Sequence, residues 1–268
     1  MARFAGSKPR LCPPLPARAA ASPVDRLQHG DIFPIAHTRN PEFFLMTVRS
    51  FTLAAILLSS SLALADEYDL EELKETPEGL APAMAKLLDV EGFRITGEKG
   101  PVVDLWLVKG VEVKPNFSPT FSQAYPFTPG QLLGALRVPK GGEYHDFRGQ
   151  TLKEGTYTLR YGLQPMDGNH VGSSETYDFI LALPAKSDTK LEPISMAKEL
   201  AGHSAKAAGA THPAIFSLLD PSDAGRRAKV EQDSKTKHWI LGLHHKGTAD
   251  GKSETVKIRL VVVGESEA

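Results

Sequence analysis

The sequence predicts a mainly β protein, built as a single antiparallel β-sandwich with a short N-terminal helix and one inserted helix. Three observations lead to this prediction. Apolar and polar residues alternate over several short segments between Phe93 and Val262, as half-buried strands require. Turns rich in proline and glycine separate these segments at irregular intervals, which favours antiparallel strands over a parallel α/β sheet. Between the strands, one longer segment has helical spacing.

The first 65 residues differ in character from the remainder. Residues 1–45 are rich in proline and basic residues, and we expect a disordered extension that precedes the true start at Met46. The alternative is a long, disordered targeting arm. Residues 46–65 have the features of a signal peptide, with an apolar stretch over 51–58 and a small-residue cleavage site at 63–65. We therefore expect an exported protein, periplasmic or extracellular.

The remaining chain divides into a lead-in and a sandwich domain. Residues 66–91 are predicted to form an acidic lead-in and a short helix over 77–89, in which Pro77 takes the first helical position. Residues 92–268 are predicted to form the sandwich. Its strands are expected at 93–96, 103–107, 131–138, 156–163, 177–183, 239–243 and 256–262, with residues 211–219 extended.

The inserted helix is predicted at about 195–208. Ser195 is the candidate capping residue, because its hydroxyl can accept a hydrogen bond from the first turn. Alanine and leucine then repeat at helical spacing, and Gly209 ends the pattern.

Charge and cysteine usage exclude several functions. The 268 residues contain 31 Lys and Arg against 32 Asp and Glu, so the chain lacks the basic footprint of a nucleic-acid protein. The apolar stretch at 51–58 is too short to span a bilayer, and we expect no membrane span after cleavage. Cleavage after Ala65 removes the only cysteine, Cys12. A blue-copper site, which needs a thiolate, is then excluded.

No catalytic residues are predicted, because each near-match to a catalytic motif departs from its pattern. Residues 247–253 are one residue short of a phosphate-binding loop, and Asp250-Gly251 within them indicates a hairpin turn. Residues 202–206 resemble a nucleophile elbow, but the last glycine is absent and the segment lies in the predicted helix. An enzyme is therefore the weakest hypothesis.

The segment 165–172 is the strongest candidate for a ligand-binding loop. It follows a clear strand and places Asp167, Asn169 and His170 near one another, with Arg160 and Tyr177 close in sequence. Carboxylate and amide oxygens suit calcium, whereas histidine suits zinc or copper, so His170 and Asp167 are candidate metal ligands. The alternative is an ordinary tight turn, in which these side chains bond to nearby backbone amides.

A second candidate is the aromatic connection 117–127. Its four aromatic residues lie among prolines; they are Phe117, Phe121, Tyr125 and Phe127. Exposed aromatic side chains on the rim of a sandwich can stack on sugar rings or contact a partner. The alternative is that they cover an open end of the sandwich, because aromatic residues usually bury their surface.

Several segments resemble an uncharacterised family of exported bacterial β-sandwich proteins. They are Asp-Phe-Arg-Gly-Gln at 146–150, Gly-Thr-Tyr-Thr-Leu-Arg-Tyr-Gly at 155–162, Asp-Gly-Asn-His-Val-Gly at 167–172 and Tyr-Asp-Phe at 177–179. The resemblance runs from about residue 92 to the C-terminus. It implies a sandwich of immunoglobulin-like, transthyretin-like or jelly-roll-like kind, and it implies no catalytic residues.

These observations lead to one functional expectation and two alternatives. We expect an exported, non-catalytic binding or structural module without a cofactor, whose partner is an extracytoplasmic protein or a glycan. One alternative is a metal-binding periplasmic protein that uses the 165–172 loop and nearby histidines. The other is a carbohydrate-binding module that uses the 117–127 aromatic residues.

Overall fold

The computed structural model of the protein describes residues 67–165 and 174–266, and this part of the chain is mainly β. Its strands are β1 (Asp69–Leu73), β2 (Leu88–Gly97), β3 (Gly100–Val108), β4 (Val111–Glu112), β5 (Leu132–His145), β6 (Thr151–Leu163), β7 (Asp178–Pro184), β8 (Ala214–Ser217), β9 (Lys229–Gln232), β10 (Trp239–Ala249) and β11 (Lys252–Val263). The helices are α1 (Pro82–Ala85) and α2 (Ala197–Ala208), and a 3-10 turn covers Pro221–Asp223.

The strands form two sheets. The larger sheet has seven strands in the order β1-β2-β3-β5-β6-β7-β8, and every neighbouring pair is antiparallel. In the smaller sheet β10 pairs antiparallel with β11 and β9, and a short stretch of β10 pairs parallel with β4. A bridge between Leu218 and Leu260 links the end of β8 to β11. The chain thus passes from the larger sheet to the smaller one along this edge.

One hydrophobic cluster contains buried residues of both sheets. The larger sheet contributes residues such as Ile95 and Leu136, and the smaller sheet contributes Leu243 and Ile258. Shared burial of this kind is what two sheets facing each other across one core require. The prediction of a mainly β, antiparallel fold is confirmed, and its arrangement is consistent with a β-sandwich.

The alternating segments of the sequence correspond to strands of the structure. All seven predicted strands coincide with long strands, namely β2, β3, β5, β6, β7, β10 and β11. The predicted hairpin turn joins β10 to β11, where Asp250 has φ of 48° and Gly251 has φ of 76°. Positive φ at both central residues is the requirement that Asp-Gly meets in a two-residue hairpin.

The lead-in differs from its prediction. Residues 69–73, part of the predicted acidic lead-in, form edge strand β1, which pairs with β2 along its whole length. The helix expected over 77–89 is limited to the four residues of α1, because β2 already begins at Leu88 and pairs with β3. Backbone pairing with the sheet thus replaces only the end of the predicted helix, and residues 77–81 at its start lie outside any helix or strand.

Helix α2 covers the face of the larger sheet that points away from the main core. Its buried Leu200 packs into a second cluster with Phe179 and Leu183. The buried Ser204 hydroxyl lies 2.8 Å from the carbonyl oxygen of Ala182, to which it donates a hydrogen bond. Gly209 ends the helix with φ of 62°, as predicted.

The start of α2 differs by one residue from the prediction. Met196, not Ser195, is the N-cap residue, and no side chain caps the first turn. A methionine side chain has no oxygen that could accept the free amides of that turn.

Within residues 67–165 and 174–266, no helix is long and apolar enough to cross a membrane.

Candidate functional site

The aromatic connection is divided between the core and the surface. Tyr125 and Phe127 are buried, and their rings stack with centroids 5.7 Å apart. The Tyr125 hydroxyl donates to the carbonyl oxygen of Leu219 at 2.8 Å and accepts from the amide of Arg259 at 3.0 Å. These two aromatic residues therefore belong to the hydrophobic core, and a ligand cannot stack on either ring.

Phe117 is half-buried, with the Lys114 ammonium 5.9 Å from the centre of its ring. Phe121 is the most exposed of the four, with 81% of its surface in solvent. Its ring contacts the half-buried ring of Tyr177 edge to face, with centroids 5.1 Å apart and planes at 63°. An exposed aromatic residue that packs against a second aromatic residue presents a defined apolar surface to solvent. We call Phe121 and Tyr177 together the aromatic rim.

A tight turn holds Phe121 in place. The backbones of Thr120 and Gln123 exchange two hydrogen bonds around it, at 2.9 and 3.2 Å. The Gln123 side chain donates to the carbonyl oxygens of Tyr125 and Phe127, at 2.8 and 2.7 Å. The exposed ring is thus carried by a turn whose base is bonded to two core residues.

The buried carboxylate of Asp178 connects this turn to the larger sheet. It accepts hydrogen bonds from the amides of Ala124 at 2.9 Å and Tyr125 at 3.1 Å. It also accepts one from the Tyr161 hydroxyl, at 2.5 Å. Asp178 also follows Tyr177 directly in the chain. It therefore lies next to Tyr177 and at the same time anchors the turn that carries Phe121.

Sequence reasoning missed this role of Asp178. Its signal is a single carboxylate at the start of an otherwise apolar strand, 178–184. A buried carboxylate needs several donors, so its presence in such a strand indicates that another segment must supply them.

Tyr177 lies at the base of the predicted ligand loop. The amide of Gln164 donates to the Tyr177 carbonyl oxygen at 2.8 Å, which closes the loop between β6 and β7. Asp167, Asn169 and His170 lie outside the described residues, so their roles in ligand or metal binding stay predictions. The structure does bring Phe121 to the base of this loop, a contact that sequence separation did not indicate.

Arg160, expected to support the ligand loop, is completely buried. It donates to both carboxylate oxygens of Asp188, at 2.6 and 2.9 Å. Its remaining donors bond to the carbonyl oxygens of Gly130, Lys190 and Glu192. All five N–H groups of the guanidinium are therefore occupied in holding chain segments together.

The two neighbouring histidines of β10 bond in different directions. The Nε2 atom of His244 lies 3.1 Å from the Ala224 carbonyl oxygen, and that of His245 lies 2.8 Å from the Val108 carbonyl oxygen. This agrees with the expectation that adjacent residues of a strand point to opposite faces. Among the described residues, no three His, Cys, Asp or Glu side chains come together as a metal-binding group.

The fold and this site define a mainly β protein in which the exposed Phe121 packs on the half-buried Tyr177 at the base of the connection between β6 and β7. Comparison of the chain with protein families, with curated proteins and with solved structures gave no match.

Proposed function

We propose that this protein is an exported, non-catalytic binding module that recognises a glycan through the aromatic rim. The observation that carries the proposal is the exposure of Phe121 in a turn that is bonded to the core. The turn holds this exposed ring against a second aromatic ring, and the two together form a fixed apolar surface on which a sugar ring can stack.

The size of the rim favours a sugar over a protein partner. Two aromatic side chains supply at most about 500 Å² of contact surface. A stable protein interface needs about 800 Å² from each partner. One or two sugar rings match the smaller area, and their apolar faces stack on aromatic rings. Asp167, Asn169 and His170 lie outside the described residues, and from the sequence they stay candidates for hydrogen bonds to such a sugar.

Binding to polysaccharides tests the proposal. The purified protein is incubated with insoluble cellulose, chitin and peptidoglycan sacculi and with a panel of soluble oligosaccharides, and the bound fraction is measured. We expect binding to at least one of these glycans. Phe121→Ala and Tyr177→Ala should each weaken it by about tenfold, which corresponds to about 1.4 kcal/mol.

Met196→Ala is the matched control, because Met196 is also a large exposed apolar residue, with 64% of its surface accessible, but lies at the start of α2. Binding should be unchanged in this variant. The proposal is wrong if the unaltered protein binds none of the glycans, or if Phe121→Ala binds them as tightly as Met196→Ala does.

A further inference from the structure

A cleft of about 720 Å³ lies on the smaller sheet and shares no residue with the aromatic rim. Its floor is the face of β10 that points away from the main core, since Leu241 and Leu243 point into that core. Residues 220–228, which we call the crossing segment, pass over this face between β8 and β9. Two hydrogen bonds hold this segment. The Arg259 guanidinium donates to the Asp220 carbonyl oxygen, and the Nε2 atom of His244 bonds to the Ala224 carbonyl oxygen.

Gly242 leaves the floor of the cleft without a side chain at one position. A Cβ atom at this position would point at the crossing segment and lie 3.9 Å from the Gly225 amide nitrogen. Any larger side chain would fill the space between the sheet and the crossing segment. A Cβ atom at Gly242 would thus be in ordinary van der Waals contact with the crossing segment, so the gap between the sheet and the segment is narrow at this point.

Strand register places a cation on each side of this glycine. Gly242 pairs with Arg259 of β11 and with Lys229 of β9, so three side-chain positions form a row across the sheet. Residues paired across strands point to the same face, and both cations line the cleft. Arg227 of the crossing segment adds a third cation from above.

The two arginines have hydrogen-bond donors to spare. Arg259 uses one N–H group, which donates to the Asp220 carbonyl oxygen at 3.1 Å. Among the described residues, Arg227 has no ion pair or side-chain hydrogen bond. A guanidinium group with free donors matches the planar oxygens of a carboxylate.

Three carboxylates also line the cleft, and two of them are already engaged. Glu231 pairs with Lys229 at 2.5 Å in an exposed ion pair. Asp233 accepts the amides of Lys235 and Thr236, at 2.9 and 2.8 Å. These bonds hold the pKa of Asp233 below its ordinary value and keep it ionised. Together, the carboxylates of Asp223, Glu231 and Asp233 supply acceptors suited to the hydroxyl groups of a ligand.

We propose that this cleft binds a sugar acid of one or two residues, with its carboxylate held between Arg227 and Arg259 and its hydroxyl groups donating to the carboxylates that line the cleft. The volume lies within the range of small-molecule sites. The site does not depend on the function proposed for the aromatic rim.

Calorimetric titration with digalacturonic acid tests this site. We expect saturable binding of digalacturonic acid and none of galactose, which has the same ring without the carboxylate. Arg259→Gln and Arg227→Gln should each weaken binding at least tenfold. Gly242→Leu should abolish binding without removing any charge, because the new side chain occupies the floor.

Two control variants distinguish binding in the cleft from general charge attraction and from binding at the aromatic rim. Lys252→Gln removes an exposed cation at the start of β11 and should leave binding unchanged. A loss of digalacturonic acid binding in Phe121→Ala would instead place this ligand at the aromatic rim and overturn the cleft site. Circular dichroism verifies that each variant is folded. If Gly242→Leu does not fold, the affinity of Arg259→Gln for digalacturonic acid tests the site instead. The proposal is overturned if digalacturonic acid fails to bind, if galactose or inorganic phosphate binds equally well, or if Arg259→Gln binds like the unaltered protein.

Discussion

Buried aspartates join segments that are distant in the sequence. Their side chains are excluded from solvent, and each accepts several hydrogen bonds; they are Asp104, Asp146, Asp178 and Asp188. Asp146, for example, accepts the amides of Gln150 at 2.7 Å and Ile215 at 3.0 Å, and so ties a β-turn to β8. A carboxylate placed in this way stabilises the fold only while its donors remain, because an unpaired buried charge is costly.

Asp188→Ala should destabilise the protein strongly. It removes the partner of Arg160, a guanidinium without solvent exposure, and leaves its charge uncompensated. We expect a loss of about 3–5 kcal/mol in the free energy of unfolding, measured with urea. The control is Glu199→Ala, which breaks the exposed pair with Lys190 and should cost less than about 1 kcal/mol. Equal losses in the two variants would contradict the assigned role of Asp188.

Buried tyrosines predict a loss of stability in alkaline solution. Burial raises the pKa of Tyr125, Tyr144 and Tyr161 above the ordinary value of 10.0. The unfolded chain therefore releases these protons at a lower pH than the folded chain does. Stability is fully present below pH 10 and falls above it, by about 1.4 kcal/mol per pH unit for each tyrosine.

Urea unfolding between pH 8 and pH 11.5 measures this effect. Tyr144→Phe should reduce the slope of stability against pH above pH 10, because one titrating group is removed, although it also removes the hydrogen bond to the Val262 carbonyl oxygen. An unchanged slope in this variant would show that Tyr144 ionises equally in both states.

At the scale of elements, periodicity predicts the strands that bury one face and misses those that do not. β6 alternates tyrosine and leucine with polar residues, and its pattern is visible without the structure. β9 has the sequence Lys-Val-Glu-Gln and is almost entirely exposed, so nothing in its pattern distinguishes it from a loop. β1 is likewise an edge strand, held by backbone hydrogen bonds that side-chain patterns do not reveal.

The candidate site could be predicted only in part, because the contacts that form it join residues far apart in the sequence. Aromatic residues at 117–127 indicated either a ligand surface or a cover for the interior, and the structure assigns Phe121 to the surface and Tyr125 to the interior. This division depends on Asp178, which is 53 residues from Tyr125 in the sequence. Contacts over such separations follow from strand order, which a single sequence does not contain.

The missing cap of α2 leads to a prediction about this helix. Met196→Ser provides an acceptor for the free amides of the first turn and should stabilise the protein by about 1 kcal/mol. Ser195→Ala should be nearly neutral, because Ser195 precedes the N-cap position. Thermal unfolding of both variants checks these expectations, and a loss of about 1 kcal/mol in Ser195→Ala would show that Ser195 caps the helix after all.

At the scale of the whole molecule, the proposal of export is tested at the N-terminus. Cleavage after the small residues at 63–65 should leave Asp66 as the first residue of the exported protein. Edman sequencing of the protein recovered from the periplasm or the medium measures this directly. A mature protein that retains residues 46–65 would contradict the assignment of a signal peptide.

We propose that Phe121 of the aromatic rim binds a ligand and contributes little to stability. The most direct test measures, for Phe121→Ala, both the free energy of unfolding and the affinity for the glycan that the unaltered protein binds. Because Phe121 is 81% exposed, we predict a stability change below about 1 kcal/mol together with about a tenfold loss of affinity. A loss of about 3 kcal/mol or more in stability with unchanged affinity would show that Phe121 belongs to the core and does not bind the ligand.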